Sequence, residues 1–277
     1  MSVLRIVSWN VETLTRFLRS PSAVLACFGT PDLLCMQEIR VRPGDQADIT
    51  AMRGALPGYD CHFALADDPK NVTFRGGRLY GVVTYVRQEL AAQALSPPAW
   101  DREGRVVAVA LGGLSVVNVY AVNGTDKPYY DHDLGRITGD RHTFKQTFQR
   151  RLAEYADALP GDLVLAGDWN VTPTAFDTVP RLRTEEPHAT ARRLFLDVMM
   201  PDLDLVDTFR AKNPGVQKFS WFRPGARRTD AARVDQILAS SRLISRVRVA
   251  DIDEAPEHRF GSDHAPLILE LAPARSP

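Results

Sequence analysis

The sequence predicts an α/β (α+β) fold: two mainly antiparallel sheets packed face to face, with helices outside. Three observations predict it. Short aliphatic runs bounded by Gly, Pro or Asp recur along the chain and outnumber the helical stretches. Several of these runs are joined by short connections, as antiparallel neighbours allow. The 277 residues are 44% hydrophobic and 25% charged, with no low-complexity linker and no evident internal repeat, so a single domain, residues 1–277, is expected.

In chain order, the predicted strands are residues 4–9, 33–36, 80–87, 106–111, 115–120, 162–166, 234–239, 247–252 and 266–271, most of them rich in Val, Ile and Leu. The clearest helix spans 143–159, where Phe144, Phe148, Leu152, Tyr155 and Leu159 recur at helical spacing and form a core-packing stripe. Long loops are expected at 67–79, 122–142 and 172–192, and loops of that length are usually functional or mobile.

The 34 basic and 34 acidic residues cancel, so any nucleic-acid footprint must be a local patch. Lysine supplies only five of the basic residues and arginine the rest, which suits bidentate phosphate contacts and is equally the product of an arginine-favouring genome. Cys27, Cys35 and Cys61 form no disulfide framework and no CxxC pair, which favours a reducing compartment. "MSVLRIVSWN" reads directly as a strand, not as a signal peptide. No apolar run approaches membrane-spanning length. An intracellular monomer with no membrane partner is therefore expected.

Chemistry-bearing residues sit at strand ends. "RIVSWNVE" delivers Asn10, "LLCMQEIR" Glu38, "VVNVYAVNG" Tyr120 and Asn123, and "DLVLAGDWN" Asp168 and Asn170. "RVDQILAS" opens with Asp235, and "GSDHAPLILEL" opens with Asp263 and His264. Each has a plainer reading alone. Asn10 caps a helix, Glu38 is a surface acid beside Arg40, and Asp168 with Asn170 forms a turn. Tyr120 is a half-buried core aromatic, Asp235 pairs with Arg233, and His264 bonds to backbone.

Together they form a kit for metal-assisted attack on phosphorus. Glu38, Asp235 and Asp263 are hard-oxygen ligands suited to Mg²⁺ or Mn²⁺, and no Cys or two-His cluster suits zinc. Asn10, Asn123, Asn170 and Tyr120 are neutral donors for phosphate oxygens. Asp168 can orient or deprotonate a water, and His264 can carry a proton or donate to a phosphoryl oxygen.

With these residues in place, the chain resembles the endonuclease/exonuclease/phosphatase superfamily, whose fold looks like DNase I. The closest likeness is to its exonuclease III group of apurinic/apyrimidinic endonucleases. "SWNV", "LLCMQEIR", "LYGVVTYVR", "DREGR", "NVYAVNG", "AGDWNVTP", "LVDTFR", "FSWF", "RVDQILAS" and "GSDHAP" follow in the family's order. The resemblance implies a four-layer αββα sandwich, Mg²⁺ dependence and cleavage of DNA 5′ to an abasic site, with 3′→5′ exonuclease and 3′-phosphatase activity as companions. It implies a duplex substrate carrying an abasic site or a 3′ end. It also implies roles: Glu38 binds the metal with Asn10 beside it, and Asp263 lies on the metal side. Asp168 positions the water, Asn170 and Asn123 contact phosphate, Tyr120 reaches the phosphate or leaving oxygen, and His264 binds phosphate, oriented by Asp235. Trp221 and Phe222 wall the abasic-sugar pocket.

The chain departs from the family in four places. "NVETLTR" stands for the frequent "NVNGLR", and Arg40 for the usual lysine after the metal glutamate. Ala231 and Ala232 stand before "RVD" where bulkier groups are common. The 122–142 loop is longer than usual and carries Lys127, Tyr129, Tyr130, Arg136 and Arg141. That mixture suits DNA contacts or a plain solvated insertion. The alternatives to abasic-site cleavage are a phosphatase or phosphodiesterase acting on RNA or small phosphate esters, and a non-catalytic nucleic-acid-binding protein.

Overall fold

A computed structural model describes residues 3–42, 44–71, 77–225 and 230–273 of the chain. Its frame is a pair of six-stranded sheets. The first runs, edge to edge, Val247–Ile252, Leu267–Leu271, Leu4–Asn10, Leu33–Gln37, Gly81–Arg87, Tyr59–Leu65. The second runs Leu205–Asp207, Asp235–Ser240, Asp162–Asp168, Leu114–Tyr120, Val106–Leu111, Gln93–Ala94. Each sheet has one parallel pair at its centre, Leu4–Asn10 with Leu33–Gln37 and Leu114–Tyr120 with Asp162–Asp168, and the other neighbours are antiparallel.

Alternation of side chains sorts the apolar residues into layers. Ile6, Cys35, Val164, Ile237 and Leu269 face inward and fill the space between the sheets. Their neighbours Val7, Trp9, Leu34, Met36 and Val83 face outward, beneath helices Leu14–Leu18, Pro21–Cys27 and Gln46–Gly54. On the other side, Val117, Val119, Leu163 and Leu165 pack under Phe144, Phe148 and Leu152 of helix Arg141–Asp157. The result is helix, sheet, sheet, helix, as expected from the sequence. That last helix is capped by Asp140, whose carboxylate accepts from the Thr143 amide at 2.8 Å, a contact worth about 1 kcal/mol.

A polar lock also crosses the sheets. Gln37 donates to the Asn118 carboxamide at 2.7 Å, and Asn118 donates to the Val83 carbonyl at 3.0 Å. Both residues are buried, so this bridge fixes the two sheets in one register.

Two loop expectations change. Residues 122–142 contain a hairpin, Pro128–Asp131 with Arg136–Asp140. Residues 172–192 contain Thr178–Val179, which joins Ala231–Ala232 and Trp221–Phe222 in a small three-stranded sheet. Of the 67–79 loop, residues 72–76 lie outside the described residues. Among the described residues, no helix is long and apolar enough to cross a membrane.

Candidate active site

The parallel pairs decide where the polar residues meet. Parallel neighbours end at the same edge, so Asn10 stands opposite Gln37 with Glu38 next along, and Tyr120 stands opposite Asp168. Asp235 opens an antiparallel strand and therefore also lies beside Asp168. Just past the strand ends the backbone turns through the left-handed region at Glu38 (φ 56°), Arg40 (φ 48°) and Asn170 (φ 51°). Such turns are disfavoured for residues with a Cβ, and they concentrate at functional sites. At Gly167 a Cβ would overlap the Val119 carbonyl, so this close approach before Asp168 requires glycine.

Asn10 links two acids. Its Nδ2 donates to Glu38 at 3.1 Å and to Asp168 at 3.0 Å, while its Oδ1 accepts from the Glu12 amide at 3.0 Å. Both ends of the carboxamide are engaged, so Asn10 bridges the two carboxylates. Glu38 receives Arg40 and the Tyr120 hydroxyl as further donors. Asp235 holds His264 Nδ1 at 2.8 Å, leaving Nε2 on the cavity side, 3.9 Å from Asp263. Asp263 in turn accepts from the Trp221 indole at 3.0 Å. Asp235 therefore pairs with the imidazole and not with Arg233.

The electrostatics separate the members. Burial raises the Asp168 carboxyl to about 7, helped by the like charges of Asp235 and Glu38. Burial also works against ionised Glu38, but Arg40, Tyr120 and Asn10 outweigh it and hold that carboxyl below its usual range. Burial disfavours imidazolium at His264, yet Asp235, through charge and hydrogen bond, together with Asp168 and Asp263, raises its pKa above the ordinary value. Tyr120 is pushed well above its usual value by burial, then by Glu38 and Tyr80, so the phenol stays protonated.

A cavity of about 630 Å³ opens over this cluster, lined by Glu38, Tyr120, Asn123, Asn170, Asp263 and His264 among others. Trp221 lines it too, next to Ala231 and Ala232. Phe222 does not, which corrects its expected place in the wall. Adjacent strand residues point to opposite faces, and Phe222 packs on the inter-sheet core beneath Arg259. In the 122–142 hairpin several of the aromatic and basic residues have partners within the protein, while Lys127 and Arg136 are exposed. Tyr129 stacks on Phe144 with centroids 4.0 Å apart, Lys70 covers Tyr130, and Arg141 is buried against Glu103.

Two residues that matter here escaped the sequence reading. Lys145 reaches through the core to donate to the Asn170 carbonyl at 2.6 Å, steadying the left-handed turn. A cation at i+4 from Arg141 and i−4 from Gln149, on the buried face of the helix, was the available signal. Arg105 lies against both the Tyr80 and Tyr120 rings, 4.4 and 4.6 Å from their centroids, and donates to the Tyr120 carbonyl at 2.9 Å. It holds Tyr120 from behind.

Whether a cation fits can be judged from charge alone. Asp168, Asp235 and His264 place ligand-type atoms within 4.8 Å of one another, but the hydrogen bond between Asp235 and His264 already explains that grouping. The more telling fact is excess acid. Glu38, Asp168, Asp235 and Asp263 converge with Arg40 and His264 as the cations beside them, and the like charges of Asp235 and Glu38 add to burial in raising the Asp168 carboxyl. Hard carboxylate oxygens in excess suit a divalent Mg²⁺-type ion.

Residues 7–264 match the endonuclease/exonuclease/phosphatase family. The chain is similar to a DNA-(apurinic or apyrimidinic site) endonuclease of Dictyostelium discoideum, 25% identical over 273 residues, 95% of this chain and 69% of that protein. It is also similar to an exodeoxyribonuclease of Streptococcus pneumoniae, 22% identical over 290 residues, 97% of this chain and 99% of the other. Among solved structures, the 3′-5′ exonuclease NExo from Neisseria meningitidis superimposes with a TM-score of 0.72 at 25% identity, covering 97% of this chain and all of the other (100%). The Xenopus laevis APE2 catalytic domain shares the fold with a TM-score of 0.74 at 21% identity, covering 99% of this chain and 95% of that one. With the match running from the first strand to the histidine at the cavity, this chain belongs to the endonuclease/exonuclease/phosphatase family and is a hydrolase.

Proposed function

We propose that the protein is a Mg²⁺-dependent DNA repair phosphodiesterase that cuts the backbone 5′ to an abasic site, with 3′→5′ exonuclease and 3′-phosphatase activity. Mn²⁺ serves in place of Mg²⁺. The observation that carries this reading is the placement of Asp168, a buried carboxyl at the cavity held between the Asn10 amide bridge and the Asp235–His264 pair. A carboxylate fixed by such donors beside the cavity is placed to orient a water and accept its proton. The names of similar proteins support the substrate: an abasic-site endonuclease, an exodeoxyribonuclease, and a Neisseria 3′ phosphatase bound to product DNA hairpin.

In this reading Asp168 orients the attacking water and takes its proton. His264, kept cationic by Asp235, donates from Nε2 to a phosphoryl oxygen. Asn170 and Asn123 hold the phosphate in line, and the protonated Tyr120 donates toward the phosphate or the leaving oxygen. Glu38 and Asp263 hold the metal, with Asn10 fixing the Glu38 carboxylate. When bound there, the ion supplies Lewis-acid neutralisation of developing phosphoryl charge. An abasic nucleotide is cheaper to extrude than a paired one, and Trp221 offers the extruded sugar an apolar wall.

Ala231 and Ala232 favour a second reading. They leave the extruded sugar fewer apolar contacts, which shifts preference toward 3′ ends. One experiment ranks the readings. With Mg²⁺, the protein is given duplexes carrying an internal abasic analogue, no lesion, or a 3′-phosphate, and separately a small aryl phosphate; EDTA and Glu38→Gln are the controls. Incision beside the abasic analogue is expected. Cleavage confined to the aryl phosphate would remove the repair reading, and no metal-dependent turnover would leave a binding protein.

A further inference from the structure

The bond between Asp235 and His264 joins the two sheets. Asp235 opens strand Asp235–Ser240 of the second sheet, and His264 stands just before strand Leu267–Leu271 of the first. Such a bond keeps its length and direction only if the two backbones are fixed to each other at that edge. One side chain makes the connection. Ser220 is fully buried and does not line the cavity. Its Oγ accepts from the Val234 amide at 3.0 Å and from the Asp235 amide at 2.9 Å. Its carbonyl accepts from the Ala265 amide at 2.7 Å, and its own amide donates to the Ala232 carbonyl at 3.1 Å. Ser220 therefore grips the backbone at Asp235 on one sheet and just after His264 on the other.

The hydroxyl answers a local need. Asp235 is buried, and an amide left there without an acceptor is costly, as is a buried hydroxyl without a partner. Each satisfies the other. Alanine would fill nearly the same volume at 220, so the donors and not the packing call for serine. A second hydroxyl holds His264 from the other side. Ser262 Oγ donates to the Asn10 carbonyl at 2.7 Å and accepts from the His264 amide at 3.1 Å. Trp221, next to Ser220, pairs with His264 as an isolated antiparallel bridge, and the Phe222 amide donates to the Asp263 carbonyl at 2.9 Å. Residues 220–222 are thus laid along 263–265. With Nδ1 held by Asp235 at 2.8 Å, a small displacement of either backbone would turn Nε2 off its line into the cavity.

We propose that Ser220 is a positioning residue for the hydrolysis. By binding the Asp235 amide with its hydroxyl and the Ala265 amide with its carbonyl, it fixes the Asp235–His264 couple across the two sheets and so aims His264 Nε2 at a phosphoryl oxygen. This rests on the reading that a phosphodiester is hydrolysed at the Asp168 centre. Ser220 touches neither substrate nor ion in that reading, and its hydroxyl acts through Asp235. A bond from His264 that tightens as charge develops on the phosphoryl group shows in kcat more than in KM.

The test compares the full chain with Ser220→Ala, Ser220→Thr, Asp235→Asn and the double variant Ser220→Ala/Asp235→Asn, with rates on an abasic duplex counted per folded molecule. Ser220→Ala is expected to lower kcat about tenfold with KM changed by less than about twofold. Ser220→Thr keeps the acceptor and should recover most of the loss. In the Asp235→Asn background, Ser220→Ala should cost little more, because the couple it serves is already broken. An unchanged kcat in Ser220→Ala, or losses that multiply in the double variant, would overturn the proposal, since a merely structural serine acts independently of Asp235. The proton resonance of His264 Nδ1–H gives a readout free of turnover. It should move upfield in Ser220→Ala and stay in place in Ser220→Thr. If the parent cleaves no phosphodiester, the functional reading fails while this resonance still decides the positioning. If the parent cleaves abasic DNA and the resonance is the same in Ser220→Ala, the positioning fails while the function stands.

Discussion

Two ionic clusters lie a few residues apart in this protein, and they are built to opposite rules. Arg233 and Asp235 sit in one "RVD" element, and one goes to each cluster. Arg233 is 1% exposed and binds Asp177 at 2.7 Å and Asp207 at 2.6 Å, with Arg210 completing a set of two acids and two cations. Despite the cost of burial, Arg233, Thr174 and Arg210 hold the Asp177 carboxyl below its ordinary range. Asp235 instead joins Glu38, Asp168 and Asp263, where acids outnumber cations and Asp168 is driven up. The balanced cluster ties the 172–192 segment to the second sheet. The unbalanced one stores a demand for a cation and a base. Burial of charge alone does not mark a functional site; lack of compensation does.

The largest way to break this comparison is Asp168→Asn. Loss of the base should lower turnover by about 10²–10⁴-fold, read from initial rates on an abasic duplex. Next is Arg233→Ala, which leaves Asp177 and Asp207 buried without their partner. It should cost about 3–5 kcal/mol of unfolding free energy, read from a urea titration. A smaller effect sharpens the contrast from the other side. Excess Mg²⁺ should raise the parent's melting temperature by about 2–6 °C over EDTA, and Glu38→Gln should lose most of that rise. The smallest concerns acid. Asp177 is held low in the folded state, so its contribution is complete above the unfolded carboxyl range near ~4 and disappears as pH falls through the folded value. Unfolding titrations of Asp177→Asn should accordingly show a shallower loss of stability below about pH 4 than the parent.

The sequence showed much of this fold because its strands are aliphatic and end on polar residues. Runs such as Val106–Leu111 and Val247–Ile252 match the observed strands at both ends. Strands that depend on pairing were missed. Tyr59–Leu65 is an edge strand with a mixed pattern, and the two-residue strands of the small sheet have no periodicity to read. At the site, every strand-end residue named from the motifs lies at one edge, and His264 meets Asp235 as expected. Phe222 was misplaced because a dipeptide "WF" does not say which ring faces the cavity. The helix pattern marks Lys145 as a buried-face cation but not its partner Asn170, 25 residues on, and the Arg233 network was invisible because Asp177 lies 56 residues away. Contacts of that kind are set by packing of elements and not by any local pattern.

The central claim is that compensation separates the two clusters. It is tested most directly by measuring unfolding free energy and turnover per folded molecule for Asp168→Asn and Asp177→Asn side by side. The account predicts that Asp168→Asn loses turnover and keeps or gains stability, since a neutral side chain relieves like-charge repulsion. Asp177→Asn should lose stability and keep its turnover. Lost stability in Asp168→Asn, or unchanged stability with lost turnover in Asp177→Asn, would contradict it.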